Sequence, residues 1–364
     1  MISKLKSLLL NVLAAVNITC IVLMLVAGYS DRFSPVDYPW LAAMGLFFPF
    51  FVLLCLLFVP VWVLLNLRRL LIPIVGFLLA YFPIRIYMPI HGNTHPADND
   101  IVVVTYNVCG FGGNYKYEHG LDSVCDYLES LHPDIICLQE EQYYKSTPTQ
   151  ERIGRFMPYN DTTCVSKTSG KLVNAIGIHT RFPILRKEII DYPSNSNGSV
   201  AYYLKREHDT LIVINNHLES SHLNNKDRHR YEEMIEGSME SDTIRSEATD
   251  LLRKLTGGMA IRAGHVEKIR DFIENHNQYP IIVCGDFNDT PISYTRHVMS
   301  IGMADCFVEA GQGLGLSFNR RWFNLRIDHM MCSDEFEPVK CIVDSKMDAS
   351  DHYPLICWLR ERIK

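Results

Sequence analysis

The first ninety residues differ from the rest of the chain in their pattern of apolar and polar positions. Three long apolar runs follow one another there, at 8–27, 40–65 and 70–88. A helix needs about 20 apolar residues to cross the hydrocarbon core of a bilayer. The pattern therefore predicts a transmembrane region of three helices over residues 1–90. It also predicts a linker in the Asn-, Pro- and Asp-rich segment 91–100.

Basic residues near the apolar runs predict the orientation of these helices. Lys4 and Lys6 precede the first run, and Arg68 and Arg69 lie between the second and the third. Because basic residues flank membrane spans on the cytoplasmic side, three spans place the rest of the chain on the extracytoplasmic side of the inner or plasma membrane. A cleaved signal peptide is the alternative interpretation of the first run. The length of that run and the two runs after it favour a retained helix.

The cysteines favour a different compartment. The chain has 11 cysteines, without CxxC pairs or the Cys/His spacing of a zinc site, and most lie in strand-like segments such as 135–138 and 282–284. Scattered free thiols of this kind are typical of a reducing compartment. The cysteine pattern and the predicted orientation therefore point to opposite sides of the membrane.

After the linker, short apolar segments alternate with helical ones. Apolar residues recur at helical spacing over 121–131, and residues 226–275 are charged and helical in pattern. Strands are predicted at 101–108, 134–138, 172–179, 200–206, 211–217, 280–284, 326–332, 339–343 and 355–359. This alternation predicts an α/β domain over 101–364, with packed sheets inside and helices outside.

Six of the apolar segments share a chemical feature, because each ends in polar residues that bind metal or phosphate. These ends are Tyr106-Asn107, Gln139-Glu140, Asn216-His217, Asp286-Phe287-Asn288, Asp328-His329 and Asp351-His352. Strand ends are rigid positions from which side chains are presented to a site. Carboxylate and amide oxygens are the ligands that Mg²⁺ and Mn²⁺ prefer. The six ends therefore predict one site for a divalent metal ion and a phosphate group.

The same segments match, in order, the motifs of a known family. They are Thr-Tyr-Asn-Val at 105–108, Leu-Gln-Glu at 138–140, Asn-Asn-His-Leu at 215–218, Gly-Asp-Phe-Asn at 285–288, Arg-Ile-Asp-His at 326–329 and Ser-Asp-His-Tyr-Pro at 350–354. In these motifs the chain resembles the endonuclease/exonuclease/phosphatase superfamily, which includes deoxyribonucleases, sphingomyelinases and inositol-polyphosphate phosphatases. The resemblance implies a phosphoester hydrolase whose fold is a four-layered α/β sandwich of two packed mixed β-sheets with outer helices.

The resemblance also implies a metal site with three of these residues. Glu140 looks like the principal ligand of Mg²⁺ or Mn²⁺, and Asn107 lies beside it in the family's pattern. Asp351 is expected to support the ligands of the metal ion. A cation at this position stabilises the charge that develops on phosphoryl oxygens during hydrolysis.

Five further residues match catalytic positions of the family. Asp286 is expected to orient or deprotonate the attacking water, and Asn288 to hold that water and a phosphoryl oxygen. His352 is expected to contact the phosphate and stabilise the pentavalent transition state, with Asp328 fixing its tautomer. His217 matches a phosphate ligand or a general acid for the leaving oxygen. An in-line displacement needs a water-positioning base and a leaving-group donor of this kind.

Charge and two departures from the family bear on the substrate. Residues 1–90 hold six of the 35 Lys and Arg residues and two of the 41 Asp and Glu residues, so 91–364 has a net charge of −10. Proteins that bind nucleic acid nonspecifically usually carry a basic excess instead. Cys109 stands where apurinic-site endonucleases carry Asp, and His217 stands where they carry Tyr. Nucleic acid is therefore a possible substrate but not the favoured one.

These observations predict a membrane-anchored, metal-dependent phosphoesterase. Its expected substrate is a lipid headgroup or a small phosphoester, and its expected partners are that substrate and the lipid bilayer. One alternative is an extracytoplasmic nuclease that acts on DNA or RNA. Another, from a different class, is a non-catalytic binding module tethered to the membrane. The oligomeric state stays open.

Overall fold

The computed structural model describes residues 2–362 except 93, 112–119, 142–147, 166–173, 195, 208, 222, 224, 239–240 and 321–322. In the N-terminal region, the helices are α1 (Ile2–Gly28), α2 (Pro39–Ala43), α3 (Phe48–Leu65), α4 (Leu71–Leu79) and α5 (Tyr81–Tyr87). Two segments, Ser3–Arg32 and Pro39–Leu65, are long and apolar enough to cross a membrane. The predicted third span is a pair of helices bent by 61°, so it forms either a broken span or a re-entrant segment.

Fourteen strands and six further helices are described after residue 100. The strands are β1 (Ile101–Asn107), β2 (Ile135–Gln139), β3 (Tyr159–Cys164), β4 (Ala175–Thr180), β5 (Ile184–Ile190), β6 (Gly198–Lys205), β7 (Thr210–His217), β8 (Ile281–Asp286), β9 (Ala304–Asp305), β10 (Phe318–Arg320), β11 (Phe323–Leu325), β12 (Asp328–Cys332), β13 (Phe336–Val343) and β14 (Leu355–Glu361). The helices are α6 (Gly120–Ser130), α7 (Pro148–Ile153), α8 (Asn225–Ile235), α9 (Ser241–Asn275), α10 (Tyr294–Met299) and α11 (Cys306–Ala310).

The strands form two six-stranded mixed sheets that pack face to face. The first has the order β13-β14-β1-β2-β4-β3, the second has the order β5-β6-β7-β8-β12-β9, and β10 and β11 form a separate hairpin. In each sheet one neighbouring pair is parallel, β1 with β2 and β7 with β8. Buried apolar side chains of both sheets, such as Val103, Val213 and Ile282, fill the space between them. Burial of this surface is the main stabilising contribution to the sandwich.

Helices cover the outer face of each sheet. Val124 and Leu128 of α6 are buried against Val104 and Ile136 of the first sheet. On the other side, apolar residues of α9 such as Val266 pack against the second sheet. The predicted four-layered sandwich of two mixed sheets is therefore confirmed.

The strands that the sequence pattern missed are mostly short or at sheet edges. β3 and β5 are the edge strands of the two sheets, and most of their residues are exposed or only partly buried. An edge strand with a solvated face needs few apolar residues, and charged side chains there block pairing with other chains. Their polar sequences therefore lack the apolar signal that marks the inner strands. The first part of the predicted strand 172–179 lies outside the described residues.

The N-terminal helices pack directly on the α/β domain. A Cβ atom on Gly45 would lie 2.3 Å from the carbonyl oxygen of Ile292, so only glycine permits this approach. Ile292 is 1% exposed and belongs to the same buried cluster as residues of α1 and α3. On α5, Arg85 pairs with Glu309 at 2.7 Å. These contacts make the two parts one packed unit.

The predicted linker also lies against the catalytic part. The ring of His91 contacts the carbonyl oxygen of Val308 at 2.8 Å, and the hydroxyl of Thr94 donates to the carbonyl of Val339 at 2.5 Å. At its end, Asp100 accepts two hydrogen bonds of 2.9 Å from Arg360. The segment 91–100 is therefore held at both ends.

The cysteines are free thiols, and ten of the eleven are buried while Cys164 is exposed. Several lie in the core between the sheets, among them Cys137, Cys284 and Cys306. Burial raises the pKa of the Cys137 and Cys306 thiols, because the charged thiolate is poorly solvated there.

Candidate active site

The parallel strands bring four of the predicted residues to one edge of the sandwich. Asn107 is paired in register with Gln139, the residue before Glu140, at the ends of β1 and β2. In the other sheet, His217 is paired with Asp286 at the ends of β7 and β8. The carboxyl ends of these strands therefore meet, as the sequence predicts. A Cβ atom on Gly285, with a φ of +133°, would lie 2.0 Å from the carbonyl oxygen of Asn216, so this glycine allows the close approach of β8 and β7.

Asn107 connects the two carboxylates of the site. Its Nδ2 donates to Oε1 of Glu140 at 3.2 Å and to Oδ2 of Asp286 at 3.0 Å. Its Oδ1 accepts from the backbone N–H of Cys109 at 3.1 Å. In this orientation Asn107 positions the carboxylates, and ligation of a metal ion by its oxygen would require the amide to rotate.

Asp286 lies at the centre of the polar cluster and is 1% exposed. Its Oδ1 accepts from the backbone N–H of Asn288 at 2.8 Å. Its Oδ2 is 3.7 Å from Nε2 of both His217 and His352. Burial raises the pKa of Asp286 and the Asp328 carboxylate adds to the rise, while the two histidines oppose it. A carboxyl group with a raised pKa is a better proton acceptor than an ordinary aspartate.

His352 and Asp328 form a buried pair. Nδ1 of His352 lies 2.8 Å from Oδ2 of Asp328. Burial alone would lower the pKa of His352, but the carboxylates of Asp328, Asp286 and Asp351 outweigh it and raise the pKa to about 10. His352 is therefore an imidazolium at neutral pH, with Nε2 directed towards Asp286. Phe318 packs against its ring, with the two centroids 5.0 Å apart.

His217 occupies the opposite side of Asp286. Its Nε2 lies 3.8 Å from Oε1 of Glu140, and its Nδ1 lies 3.3 Å from Nδ2 of Asn174. An amide that donates to Nδ1 leaves the proton of a neutral ring on Nε2, which faces the carboxylates. This tautomer directs an N–H donor towards the carboxylates, where a phosphate oxygen can accept a hydrogen bond.

Two site residues have left-handed backbone conformations. The φ angles of Glu140 and Asn288 are +53° and +52°, a region that residues other than glycine rarely adopt. The Nδ2 of Asn288 donates to the carbonyl of Leu218 at 2.9 Å, which holds the turn after β8 against the end of β7. Backbone strain of this type is concentrated at functional sites.

Asp351 is placed differently from the expected metal ligand. Nε and Nη2 of Arg320 donate to its Oδ2 at 3.0 and 2.8 Å. Burial alone would raise the pKa of Asp351, but the positive charges of His352 and Arg320 lower it. Its ion pair with Arg320 makes Asp351 a support of the hairpin β10–β11. Its assignment as part of the metal shell stays a prediction.

The donor set fits a divalent cation. Ligand atoms of Asp286, Asp328 and His352 all lie within 4.8 Å of one another. His352 is a poor ligand, because its proton is held by Asp328 at 2.8 Å. Glu140, whose side chain is 36% exposed, together with Asp286 supplies the hard oxygen atoms that Mg²⁺ prefers. Oδ1 of Asp328 is buried and has no hydrogen-bond partner among the described residues.

Several supporting residues were not singled out from the sequence. The hydroxyl of Ser350 donates to the carbonyl of Asn107 at 2.7 Å and accepts from the backbone N–H of His352 at 3.2 Å. It therefore ties two site residues together. Oδ1 of Asn215 accepts from Gln139 at 2.7 Å between the two sheets. Ser350 and Asn215 lie within the matched motifs at 350–354 and 215–218. The motifs could therefore have identified both residues from the sequence.

Arg262 of α9 carries no comparable signal in the sequence. It is 1% exposed, and its Nε donates to Oδ2 of Asp289 at 3.1 Å while Nη1 donates to the carbonyl of Glu219 at 2.9 Å. It joins the loop after β7 to the loop after β8. Only the fold brings these three segments together.

Two packed mixed sheets thus form an α/β sandwich with acidic, amide and imidazole side chains gathered at one edge. Residues 104–352 match the model of the Endonuclease/Exonuclease/phosphatase family. Because this match covers more than half of the chain, the protein belongs to that family. Residues 10–87 match a domain of unknown function (DUF8431).

Solved structures agree with this fold. The catalytic domain of human Nocturnin, determined with a bound sulfate anion, is 15% identical with a TM-score of 0.52, and the match covers 74% of this chain and 97% of that chain. An endonuclease/exonuclease/phosphatase from Beutenbergia cavernae is 14% identical with a TM-score of 0.51, over 72% of each chain. No curated protein matches the chain in sequence.

Proposed function

We propose that this protein is a membrane-anchored phosphoesterase that uses a divalent metal ion and in-line attack by water. The observation that carries the proposal is the position of Asp286 between Asn107, His217 and His352, with the Glu140 carboxylate on the far side of the Asn107 amide. This arrangement combines a proton acceptor, a cationic group and a hard metal ligand. The same set of groups is what phosphoester hydrolysis requires.

Each of these residues has a definite task in the proposed reaction. Asp286, whose Oδ1 is fixed by the N–H of Asn288 at 2.8 Å, accepts the proton of the attacking water. The His352 imidazolium, held by Asp328, donates a hydrogen bond to a phosphoryl oxygen and balances the charge that develops there. His217 donates a hydrogen bond from Nε2 to the phosphate or to the leaving oxygen, and the leaving oxygen takes its proton from water. Asn288 orients the water and the phosphate.

Glu140, with Asn107 after rotation of its amide, is the proposed holder of Mg²⁺ or Mn²⁺, and Asp351 supports this side of the site through Arg320. When bound, the cation withdraws charge from the phosphoryl oxygens and orients the phosphate. The exposed Glu140 carboxylate is accessible from solvent, whereas Asp286 and His352 are almost fully buried. A substrate phosphate therefore enters from the side of Glu140.

A membrane lipid headgroup or a small phosphoester is the proposed substrate. The loop after β8 and the segment before β12, which both belong to the site edge, contact the membrane region at Gly45 through Ile292 and at Ile86 through Arg326. This contact supports an active-site edge that lies near the bilayer surface. The net charge of −10 in residues 91–364 opposes binding of a long polyanion. A nuclease active on DNA or RNA is the alternative that the next experiment distinguishes.

We expect the full-length protein in detergent micelles to hydrolyse phospholipids or small phosphoesters only when Mg²⁺ or Mn²⁺ is added. Catalytic efficiency is to be compared on phospholipid, inositol phosphates, supercoiled plasmid and single-stranded oligonucleotides, each with and without EDTA. Undiminished turnover in EDTA contradicts the metal-dependent mechanism. Efficient cleavage of plasmid with negligible turnover of the other substrates replaces the lipid proposal with a nuclease.

The proposed orientation places the catalytic domain outside the cytoplasm. The turn with Arg68 and Arg69 contacts Leu10 and Asn11, whereas the loop after α1 contacts the catalytic part through Asp31 and His297, 3.7 Å apart. We expect a reporter enzyme that is active only after export to be active when fused after Lys364. A reporter that is active only in the cytoplasm, fused at the same point, is the control. Activity of the second and silence of the first would reverse the orientation.

A further inference from the structure

A cleft of about 890 Å³ adjoins the linker that follows the N-terminal helices. Its walls are His91, Gly92, Thr94 and His95 of the linker, residues of the glycine-rich loop 311–316, the hairpin β10–β11 and the strand β13. Pockets that bind small molecules have volumes of roughly 300–1,000 Å³. The cleft therefore has the size of a binding site, and none of the residues proposed for catalysis lines it.

The charge of the cleft differs from that of the domain around it. Its described lining residues include Lys340, His91 and His95 but no Asp or Glu, although residues 91–364 have a net charge of −10. Within the described part of the chain, Lys340 has no carboxylate partner, and its ammonium lies 5.0 Å from the centroid of the Trp358 ring. The Trp358 ring, which lies beside Lys340 on the neighbouring strand, stabilises this ammonium, and no carboxylate neutralises it. The cleft is therefore suited to a negatively charged group.

The other side of the cleft is apolar and adjoins the end of the membrane region. Leu314, which lines the cleft, is 42% exposed, and Met88 and Ile90 at the end of the membrane region are 41% and 78% exposed. The N–H of Gly313 donates to the carbonyl of Pro89 at 2.9 Å, so the glycine-rich loop is fixed beside the chain where it leaves the membrane. Exposed apolar residues at such a position are solvated by the bilayer interface.

The hairpin β10–β11 separates this cleft from the catalytic residues. Asn319 and Asn324, which are paired across the hairpin, line the cleft. Phe318 and Arg320 alternate with Asn319 along β10, and they contact His352 and Asp351 respectively. Because successive side chains of a strand point to opposite faces, the hairpin presents one face to the cleft and the other to the catalytic site. A molecule in the cleft is therefore not the molecule that is hydrolysed.

We propose that the cleft binds an anionic phospholipid of the adjoining leaflet, at a site separate from the catalytic one. The phosphate lies by Lys340 and His95, and the apolar part of the lipid lies against Leu314 and Leu316. The proposal rests on the membrane anchoring that is part of the proposed function, but it does not depend on catalysis. A phospholipid can contact both the basic and the apolar residues of the cleft. A free phosphate ion can contact only the basic ones.

The experiment labels the full-length protein with a photoreactive lipid. The protein is placed in phosphatidylcholine nanodiscs that contain a minor fraction of diazirine-labelled phosphatidylglycerol, and labelled peptides are located by mass spectrometry. We expect labels in the segments 311–316 and 340–345. Because Lys340→Met removes the cation that attracts the lipid phosphate, it should reduce this labelling roughly tenfold or more.

Gly92→Trp tests the cleft independently of its charge. Gly92 lines the cleft, and a Cβ atom there meets no atom within 4 Å, so the fold tolerates a larger side chain at this position and an indole there narrows the cleft. We expect Gly92→Trp to reduce labelling as strongly as Lys340→Met. The control is Gly257→Trp on α9, where a Cβ atom also meets open space, and it should leave labelling unchanged. Thermal unfolding of the variants shows that each remains folded.

Three outcomes would overturn the proposal. They are labels confined to residues 2–87, equal labelling of the cleft by a phosphatidylcholine probe, and unchanged labelling in either Lys340→Met or Gly92→Trp. Since turnover is not measured, a protein without phosphoesterase activity still gives a decisive result. Failure of the lipid site and failure of the proposed catalytic function are therefore distinguishable.

Discussion

Asp286→Asn should reduce kcat by about 10²–10³-fold or more, which is the loss expected when a preorganised catalytic group is removed. The amide has the shape of the carboxylate and still accepts the hydrogen bond from the N–H of Asn288. The amide cannot accept the proton of the attacking water. The substitution also removes the negative charge that lies 3.7 Å from Nε2 of both His217 and His352. The measurement is steady-state turnover of the best substrate at saturating Mg²⁺.

A surface aspartate supplies the matched control for this variant. Asp209, whose side chain is 41% exposed, pairs with Arg206 in the turn between β6 and β7, at the end of β7 opposite to His217. Asp209→Asn should therefore keep native turnover. If Asp286→Asn also keeps native kcat while folded, the proposed role of Asp286 is wrong.

His352→Gln should cause a loss of similar size, about 10²–10³-fold in kcat, because it removes the buried cation that faces the phosphate.

The pH dependence of turnover tests the role of Asp328. The imidazolium is the active form, so activity should persist as the pH rises and fall only near the His352 pKa of about 10. In Asp328→Asn the carboxylate that raises this pKa is absent, and the alkaline loss of activity should move to lower pH.

The matched control for His352→Gln is an exposed histidine. His229 on α8 pairs with Glu233 at 3.3 Å, and its side chain is 70% exposed. His229→Gln should alter neither kcat nor the alkaline limb of the pH profile. An alkaline limb that is the same in Asp328→Asn and in the native protein would mean that another group titrates there.

The sequence predicts the inner strands, and the polar residues at their ends, for one physical reason. A strand buried on both faces must be apolar along its length, so a change to Asn, Glu or Asp at its end is visible in the sequence. Asn107 and Asp286 are found in this way. Nδ2 of Asn107 lies 3.0 Å from Oδ2 of Asp286. This proximity follows from the parallel pairing in each sheet and from the packing of the two sheets.

The contacts that depend on tertiary structure are not visible in the sequence. Arg320 is 31 residues from Asp351 and Arg262 is 27 residues from Asp289, and no local pattern relates these pairs. The orientation of the Asn107 amide depends on Glu140, Asp286 and Cys109 together. The sequence therefore predicts which polar residues lie close together at this edge but not which hydrogen bond each one makes.

The buried thiols of the core remove the apparent conflict between cysteine usage and topology. Thiol oxidation and disulfide exchange proceed through the thiolate, and they require access to a second sulfur or an oxidant. Burial raises the pKa of Cys137, Cys306 and Cys357, so these residues are both protonated and shielded. They behave as small apolar side chains that fill the core, and their raised pKa slows oxidation although neighbouring thiols such as Cys137 and Cys284 are in contact. The number of cysteines in this chain is therefore a property of its packing and carries no information about the side of the membrane on which the domain works.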